Sequence, residues 1–287
     1  MSADPRSDPA SARAGAKARA RSQVRALSRL PGYRLRLATP GRRPLPSFVI
    51  IGAQRAGTTS VYEWICSQPG AMAAVRKEIH YFDVNYDRGE NWYKSHFRAG
   101  RPGMATGEAS PYMLFHPLSP ERAARDLDGA TRYVALLREP VARAVSQYWH
   151  EYAAGHEHEP FDRAIALEAE RLQGSHDVVL RGEGHYSHQH HSYAARGEYA
   201  SQLRRWFEAV GRDRLLVVES EQVLRDPVAA GEVLEWLGLP ASSSSLPVLN
   251  GAARASDAPS STIDSLRGHF ARHNNELFEL LGREMWV

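Results

Sequence analysis

FVIIGAQRAGTTSVYEWI, residues 48–65, opens with an unbroken apolar run, passes through a turn of small residues and continues with helix-forming ones. An apolar run of that kind reads as a strand buried on both faces of a parallel sheet, and Thr58 to Ser67 as the helix that returns over it. Gly52 and Gly57 stand at the spacing of the phosphate-binding loop G-x-x-x-x-G-K-[ST]. Thr58 occupies the lysine position, followed by Thr59 and Ser60. The turn is suited to an anion and departs from the pattern of an ATPase.

Outward from this stretch, strands and helices alternate. ATRYVALLRE and DRLLVVESEQV read as two further strands. Helical patterns are expected at Pro120–Leu127, Pro140–Tyr152, Pro160–Gln173, Tyr199–Val210, Pro227–Leu237 and Thr262–Leu281, with Trp206 and Phe207 packed in the core. The alternation predicts an α/β fold: a three-layer, P-loop-like domain with a central parallel sheet of about five strands. PASSSSLP and ASDAPSS punctuate a surface segment.

The 287 residues are 43% hydrophobic with a net charge of +3, enough apolar content for one sizeable core and too little charge to mark a nucleic-acid binder. The basic residues are unevenly placed. Residues 1–46 hold ten arginines and Lys17 against Asp4 and Asp8, so the rest of the chain is net acidic. This segment is expected to be a disordered basic arm, with a short helix near Ser22–Leu30, and residues 47–287 the catalytic domain. The chain is expected to be soluble, without an integral membrane segment. One cysteine, Cys66, excludes an internal disulfide and a thiolate zinc cage, and suggests a reducing cytoplasm. It reads as a small core residue.

In an open parallel sheet, ligands sit beyond the carboxyl ends of the strands, where helix N-termini present free N–H groups. Gly52 and Gly57 let the backbone close round an anion, Thr58, Thr59 and Ser60 add hydroxyls, and Arg55 adds a fixed charge. A triphosphatase needs a carboxylate for magnesium at the end of a second strand. Here that strand ends in LLREPVARAVSQYWH, with Arg138 as its first polar residue and Ser146 on the following helix, a pair suited to a second phosphate. The ligand reads as a nucleotide with two separate anionic groups and no metal.

GAQRAGTTS and LREPVARAVSQYW resemble the two cofactor-binding signatures of sulfotransferases that use 3′-phosphoadenosine 5′-phosphosulfate (PAPS). The resemblance extends in order through RKEIHYFD, NWYKSHF, GEASPYMLFHP, ARGEYASQLRRWFE and RLLVVESEQVLRDPVAAGEVLEWLGLP, closest to the heparan sulfate and bacterial glycan-type branch. It implies sulfuryl transfer from PAPS to a hydroxyl, less readily an amine, of a carbohydrate-containing or other small acceptor. The alternatives are a P-loop nucleotide kinase and a non-catalytic nucleotide-binding protein. A homo-oligomer is left open.

By position, the resemblance implies that Arg55, Ala56, Gly57, Thr58, Thr59 and Ser60 hold the 5′-phosphosulfate and that Arg138 and Ser146 hold the 3′-phosphate. The family usually has lysine where Arg55 stands; arginine stays protonated and serves as a clamp rather than a proton donor. Another departure is Ala109, where heparan-type members often have lysine. Glu78 matches the general base of the family, and His80 is the second candidate. Arg254 stands near the place of a missing C-terminal lysine, as the distal cofactor contact. Tyr81, Phe82, Ser110 and Tyr112 are expected to line the acceptor pocket, beneath a flexible loop carrying His185, His188, His190 and His191. Glu108 and Glu219 are read as either substrate contacts or structural carboxylates.

Overall fold

A computed structural model describes residues 43–98, 103–242, 246 and 258–286. Five strands form one parallel sheet: β1 (Phe48–Gly52), β2 (Ala71–Ala73), β3 (Ala105–Ala109), β4 (Arg132–Leu137) and β5 (Leu215–Glu219), in the order β2-β3-β1-β4-β5. All five residues of β1 and the last five of β4 are buried. Since successive side chains point to opposite faces, both faces of the sheet centre are covered, which is the three-layer arrangement.

Helix α1 (Thr58–Ser67) follows β1 with the bounds expected from the sequence, α2 (Ser119–Asp126) precedes β4, and α3 (Pro140–Ala153) follows it. The short α4 (Tyr186–His190), then α5 (Tyr199–Val210) and α6 (Ser260–Leu281) complete the elements that bear on the site. Trp206 is fully buried and Phe207 packs at the edge of the main core. A second apolar cluster joins α3 and α6 through Val141, Val145, Tyr148, Phe161, Leu266 and Phe270.

The sheet has the expected five strands, and two other expectations need correction. The strands β2 and β3, built of Ala, Met, Thr, Gly and Glu, carry too little apolar signal to be located from sequence. The helix expected over Pro160–Gln173 is two helices, Phe161–Ala166 and Glu168–Leu172. The break at Leu167 lets the buried Glu168 carboxylate accept N–H bonds from Ala194 and Ala195 at 2.7 and 2.9 Å. At the other end of the chain, Arg43 donates to the Phe97 carbonyl at 2.9 Å and Leu45 packs on the core, so residues 43–46 belong to the domain. The rest of the predicted arm, with its short helix, lies outside the described residues. Among the described residues no helix is long and apolar enough to cross a membrane.

Gly107 on β3 shows why small residues are needed beside β1: a Cβ there would lie 2.3–2.5 Å from the Phe48 ring. Gly107→Ala is therefore expected to lower stability by about 1–3 kcal/mol through overpacking, measured as a reduced midpoint in urea unfolding with an unchanged slope.

Candidate active site

The site is assembled at the carboxyl ends of β1, β3 and β4. After β1 the chain turns through residues 53–57, and α1 begins on Gly57 in the left-handed conformation, φ 71°, with no side-chain cap. A side chain at Gly57 would be strained by that φ and would meet Leu224 Cδ1 at 2.9 Å. The N-cap of α1 is thus a glycine, which has no side chain to cap the backbone N–H groups of the first turn, and such a terminus favours an anion. The helix after β4 differs: Glu139 caps α3, accepting from Val141 N and Ala142 N at 3.0 and 2.7 Å. Of these two strand-to-helix turns, the first is the open one.

Three cations frame it. Arg55, at φ 71°, donates from Nε to Ser146 Oγ at 3.1 Å, with His150 Nδ1 3.5 Å from its Nη1. Burial, then the neighbouring charge of Arg138, lowers the Arg55 pKa from its usual value. Arg138 donates to the Arg55 carbonyl at 3.2 Å and pairs through Nε with Glu221 at 3.0 Å. The two anion subsites read from the sequence are thus adjacent, with Arg55 reaching from the turn to Ser146. The third cation, Lys77, escaped the sequence reading: its Nζ donates to Thr59 Oγ1 and to Glu78 Oε1, each at 2.7 Å. It stands directly before Glu78 in RKEIHYFD, and that adjacency was the one signal the sequence offered.

Glu78 and His80 both adopt left-handed backbone, φ 56° and 55°, which for such residues stores of order 1–3 kcal/mol of strain each. The surroundings hold them there. Glu78 N donates to the Ala109 carbonyl at 3.1 Å, and His80 N to Ser110 Oγ at 3.0 Å. Ser110 donates in turn to Glu108 Oε2 at 2.8 Å, and Tyr93 OH donates to Glu108 Oε1 at 2.6 Å. Burial pushes the Glu108 carboxyl up to about 7. Glu108 is therefore a structural carboxylate, as is Glu219, which accepts the Trp286 N–H at 2.9 Å.

The side chains form a line of alternating charge. Asp83 Oδ2 lies 2.9 Å from His80 Nδ1, His80 Nε2 lies 3.7 Å from Glu78 Oε2, and Glu78 Oε1 meets Lys77. Burial disfavours the His80 cation, but the charge of Asp83, the hydrogen bond to it and the nearby Glu78 carboxylate outweigh it and raise the pKa to about 10. For Glu78, burial pushes upward, while its neighbours His80 and Lys77 overcome it and hold the carboxyl at about 2. At neutral pH Glu78 is the ionised acceptor and His80 carries its proton.

The structure corrects the expected acceptor pocket. Tyr81 stacks on Tyr93 with ring centroids 4.5 Å apart, and Tyr81, Phe82 and Ser110 are all buried, the aromatics as core and Ser110 as the support of His80. Tyr112 is buried too, its OH 2.6 Å from His188 Nδ1 and its ring 4.6 Å from the Arg196 guanidinium. Arg196, a residue the sequence reading passed over, donates to Gln54 of the turn and to the Gln189 carbonyl, and so ties the turn to the histidine segment. That segment is a short helix with His188, His190 and His191 buried, each ring having at least one nitrogen on an internal partner. Cys66 is half-buried, and burial pushes its thiol up to about 11, so it is inert at neutral pH. Arg254 lies outside the described residues.

The comparisons agree with this geometry. A family model described as the sulfotransferase domain matches residues 45–252. Human heparan sulfate glucosamine 3-O-sulfotransferase 3A1 is 28% identical over 210 residues, covering 73% of this chain and 48% of that protein. Human heparan sulfate glucosamine 3-O-sulfotransferase 6 is 30% identical over 201 residues, covering 70% and 54%. This chain spans about half the length of the curated relatives it matches. The crystal structure of a sulfotransferase from Alicyclobacillus acidocaldarius superposes with a TM-score of 0.70 at 25% identity, covering 84% of this chain and 98% of that one.

The charge line has a measurable consequence. Because folding raises the His80 pKa from 6.5 to about 10, its contribution to stability is complete below pH 6.5 and is lost as the pH rises through about 10. In imidazole NMR titrations, His80 of the wild type is expected to stay protonated at pH 8. In Asp83→Asn it should titrate at a pH lower by at least one unit, and the stability difference between the two proteins should shrink above about pH 10.

Proposed function

We propose, from the premise that this chain belongs to the sulfotransferase family, that it transfers a sulfuryl group from PAPS to a hydroxyl, less readily an amine, of a carbohydrate-containing or other small acceptor. The observation that carries the reading is the uncapped start of α1 framed by Arg55, Lys77 and Arg138, with the ionised Glu78 against Lys77. The residues present fit the donor: the amides and hydroxyls of Gly57, Thr58, Thr59 and Ser60 suit its 5′-end, and Arg138 with Ser146 suits the 3′-phosphate. When bound, PAPS supplies the activated sulfuryl group. Arg254 is included as the distal cation because the resemblance implies a C-terminal lysine near its position. The acceptor class is supported by the glucosamine 3-O-sulfotransferases named above, and the single inert Cys66 supports a reducing compartment such as the cytoplasm.

Sulfuryl transfer resembles phosphoryl transfer in spreading charge over peripheral oxygens, so fixed cations provide most of the catalysis. Arg55 and Lys77 stabilise that charge from two sides of the turn. Glu78 takes the proton from the acceptor hydroxyl. His80, already protonated and held by Asp83, cannot do so; it orients Glu78 and keeps it ionised. Lys77 takes the place of the cation missing from position 58, reaching Thr59 from a neighbouring segment.

Calorimetry is expected to show tight binding of adenosine 3′,5′-bisphosphate without magnesium; a preference for ATP with magnesium would overturn the reading. Arg138→Ala and Ser146→Ala should each weaken that binding by about one to two decades, the value of a charged hydrogen bond of about 1.5–3 kcal/mol.

Turnover separates from binding at two other residues. Glu78→Gln should reduce kcat by about two decades or more with the nucleotide Kd nearly unchanged, whereas Arg55→Ala should impair both. Full turnover by Glu78→Gln would remove Glu78 as the base.

A further inference from the structure

Glu151, His156 and His190 come from three separate segments: the last turn of α3, the loop after it, and the end of α4. Glu151 Oε2 lies 2.9 Å from His190 Nδ1, with both side chains almost fully buried, at 3% and 9% exposure. The His156 and His190 rings lie face to face at a tilt, centroids 4.1 Å apart and planes at 34°. One donor atom from each of the three residues falls within 4.8 Å of the others. In the sequence no carboxylate stands at ligand spacing to the histidines, and no metal was expected. Folding supplies Glu151 from 39 residues upstream of His190.

We propose that Glu151, His156 and His190 form a binding site for a divalent transition-metal ion of the zinc class. Two imidazoles and one carboxylate are a borderline donor set, suited to zinc and its neighbours and unsuited to calcium or magnesium, which require oxygen ligands. Ligands about 2.0–2.1 Å from a tetrahedral zinc are about 3.3 Å apart. The separations here, 2.9 Å for one pair and up to 4.8 Å for the set, need a shift of about one to two ångströms. The fourth position is left to water.

The supports of the ligands are already in place. His156 N donates to the Glu151 carbonyl at 2.8 Å, closing the loop that brings the two side chains together. His156 Nδ1 lies 3.1 Å from Tyr186 OH, and its carbonyl is 2.9 Å from His191 Nε2. Gln147 Nε2 donates to the His190 carbonyl at 3.4 Å. Such outer partners fix ring orientation at metal centres. A bound ion would pin α4 to α3 one residue beyond His150, which contacts Arg55, and would stiffen the segment that Arg196 joins to the turn. A second trio, Glu198, His269 and His273, also meets the distance condition. It is open to water at Glu198 and His269, with side chains 34% and 40% exposed, and provides the control.

The test uses the tag-free full chain, stripped with a chelator and titrated with zinc chloride by calorimetry, with cobalt(II) absorption reporting coordination geometry. The proposal expects one tight equivalent, a tetrahedral-type cobalt spectrum and a raised Tm. His156→Asn, on a half-buried ring, and Glu151→Gln, which keeps a hydrogen-bonding partner for His190, should each weaken zinc binding ~10-fold or more. Glu198→Gln should leave it unchanged. Circular dichroism of the metal-free variants establishes that they are folded, and His156→Asn carries the test if Glu151→Gln is not. Absence of a tight equivalent, loss confined to Glu198→Gln, or unchanged binding in His156→Asn overturns the proposal. The readout is metal binding, so neither result bears on sulfuryl transfer.

Discussion

The uncapped start of α1 is the constraint on which the rest of the site depends. Amides at a helix N-terminus without internal acceptors carry a partial positive charge, and this fold adds Arg55, Lys77 and Arg138 around them. Burial, and after it the neighbouring charge of Arg138, lowers the Arg55 pKa, so holding these cations together is costly. The arrangement persists because each is held by something else: Arg55 by Ser146, Arg138 by Glu221, Lys77 by Glu78 and Thr59. These are contacts an incoming anion can share or replace. Glu139, by closing the start of α3, leaves α1 as the open terminus of the two.

The rigid part of the molecule lies one layer deeper. Arg55, Glu78 and His80 all sit in left-handed backbone, a strain tolerated only where the surroundings over-determine it. Behind Glu78 and His80 the determinants are the end of β3 and the buried chain Tyr93–Glu108–Ser110, which ends on the His80 amide. Behind the turn it is Arg196, fully desolvated and spent on Gln54, Ser192 and two carbonyls. Burying these polar groups is tolerable because they are hydrogen-bonded to one another, and the result is a chemical edge held by a core.

The alternation Asp83, His80, Glu78, Lys77 favours an ionised Glu78 and a protonated His80. A carboxyl held at about 2 is a weak base, since proton transfer is best served by a pKa near the working pH. In the proposed reaction, Lys77 is shared between Glu78 and the Thr59 side of the turn, so charge developing on the transferring group competes with Glu78 for it. Any weakening of the Lys77–Glu78 pair raises the basicity of Glu78. The cost of preorganisation is carried by the resting state, and the gain appears in the transition state.

By itself the sequence determined the α/β class, the strand–turn–helix around Gly52 and Gly57, and the bounds of α1 and α5, because apolar periodicity and glycine placement are local signals. It also singled out Arg55, Arg138, Ser146, Glu78 and His80, which the structure brings to one edge of the sheet. It could not locate β2 and β3, whose small and polar residues give no hydrophobic pattern; on β3, Gly107 answers to the Phe48 ring. Nor could it tell that Tyr81, Phe82 and Ser110 face inward or that the histidine segment is a packed helix, since side-chain direction in irregular segments is set by neighbours distant in sequence. Lys77 beside Thr59, Arg196 beneath Gln54 and Glu151 beside His190 are contacts across 18, 142 and 39 residues. Only the tertiary structure decided them, because electrostatics and hydrogen bonding act through space while the sequence orders residues along the chain.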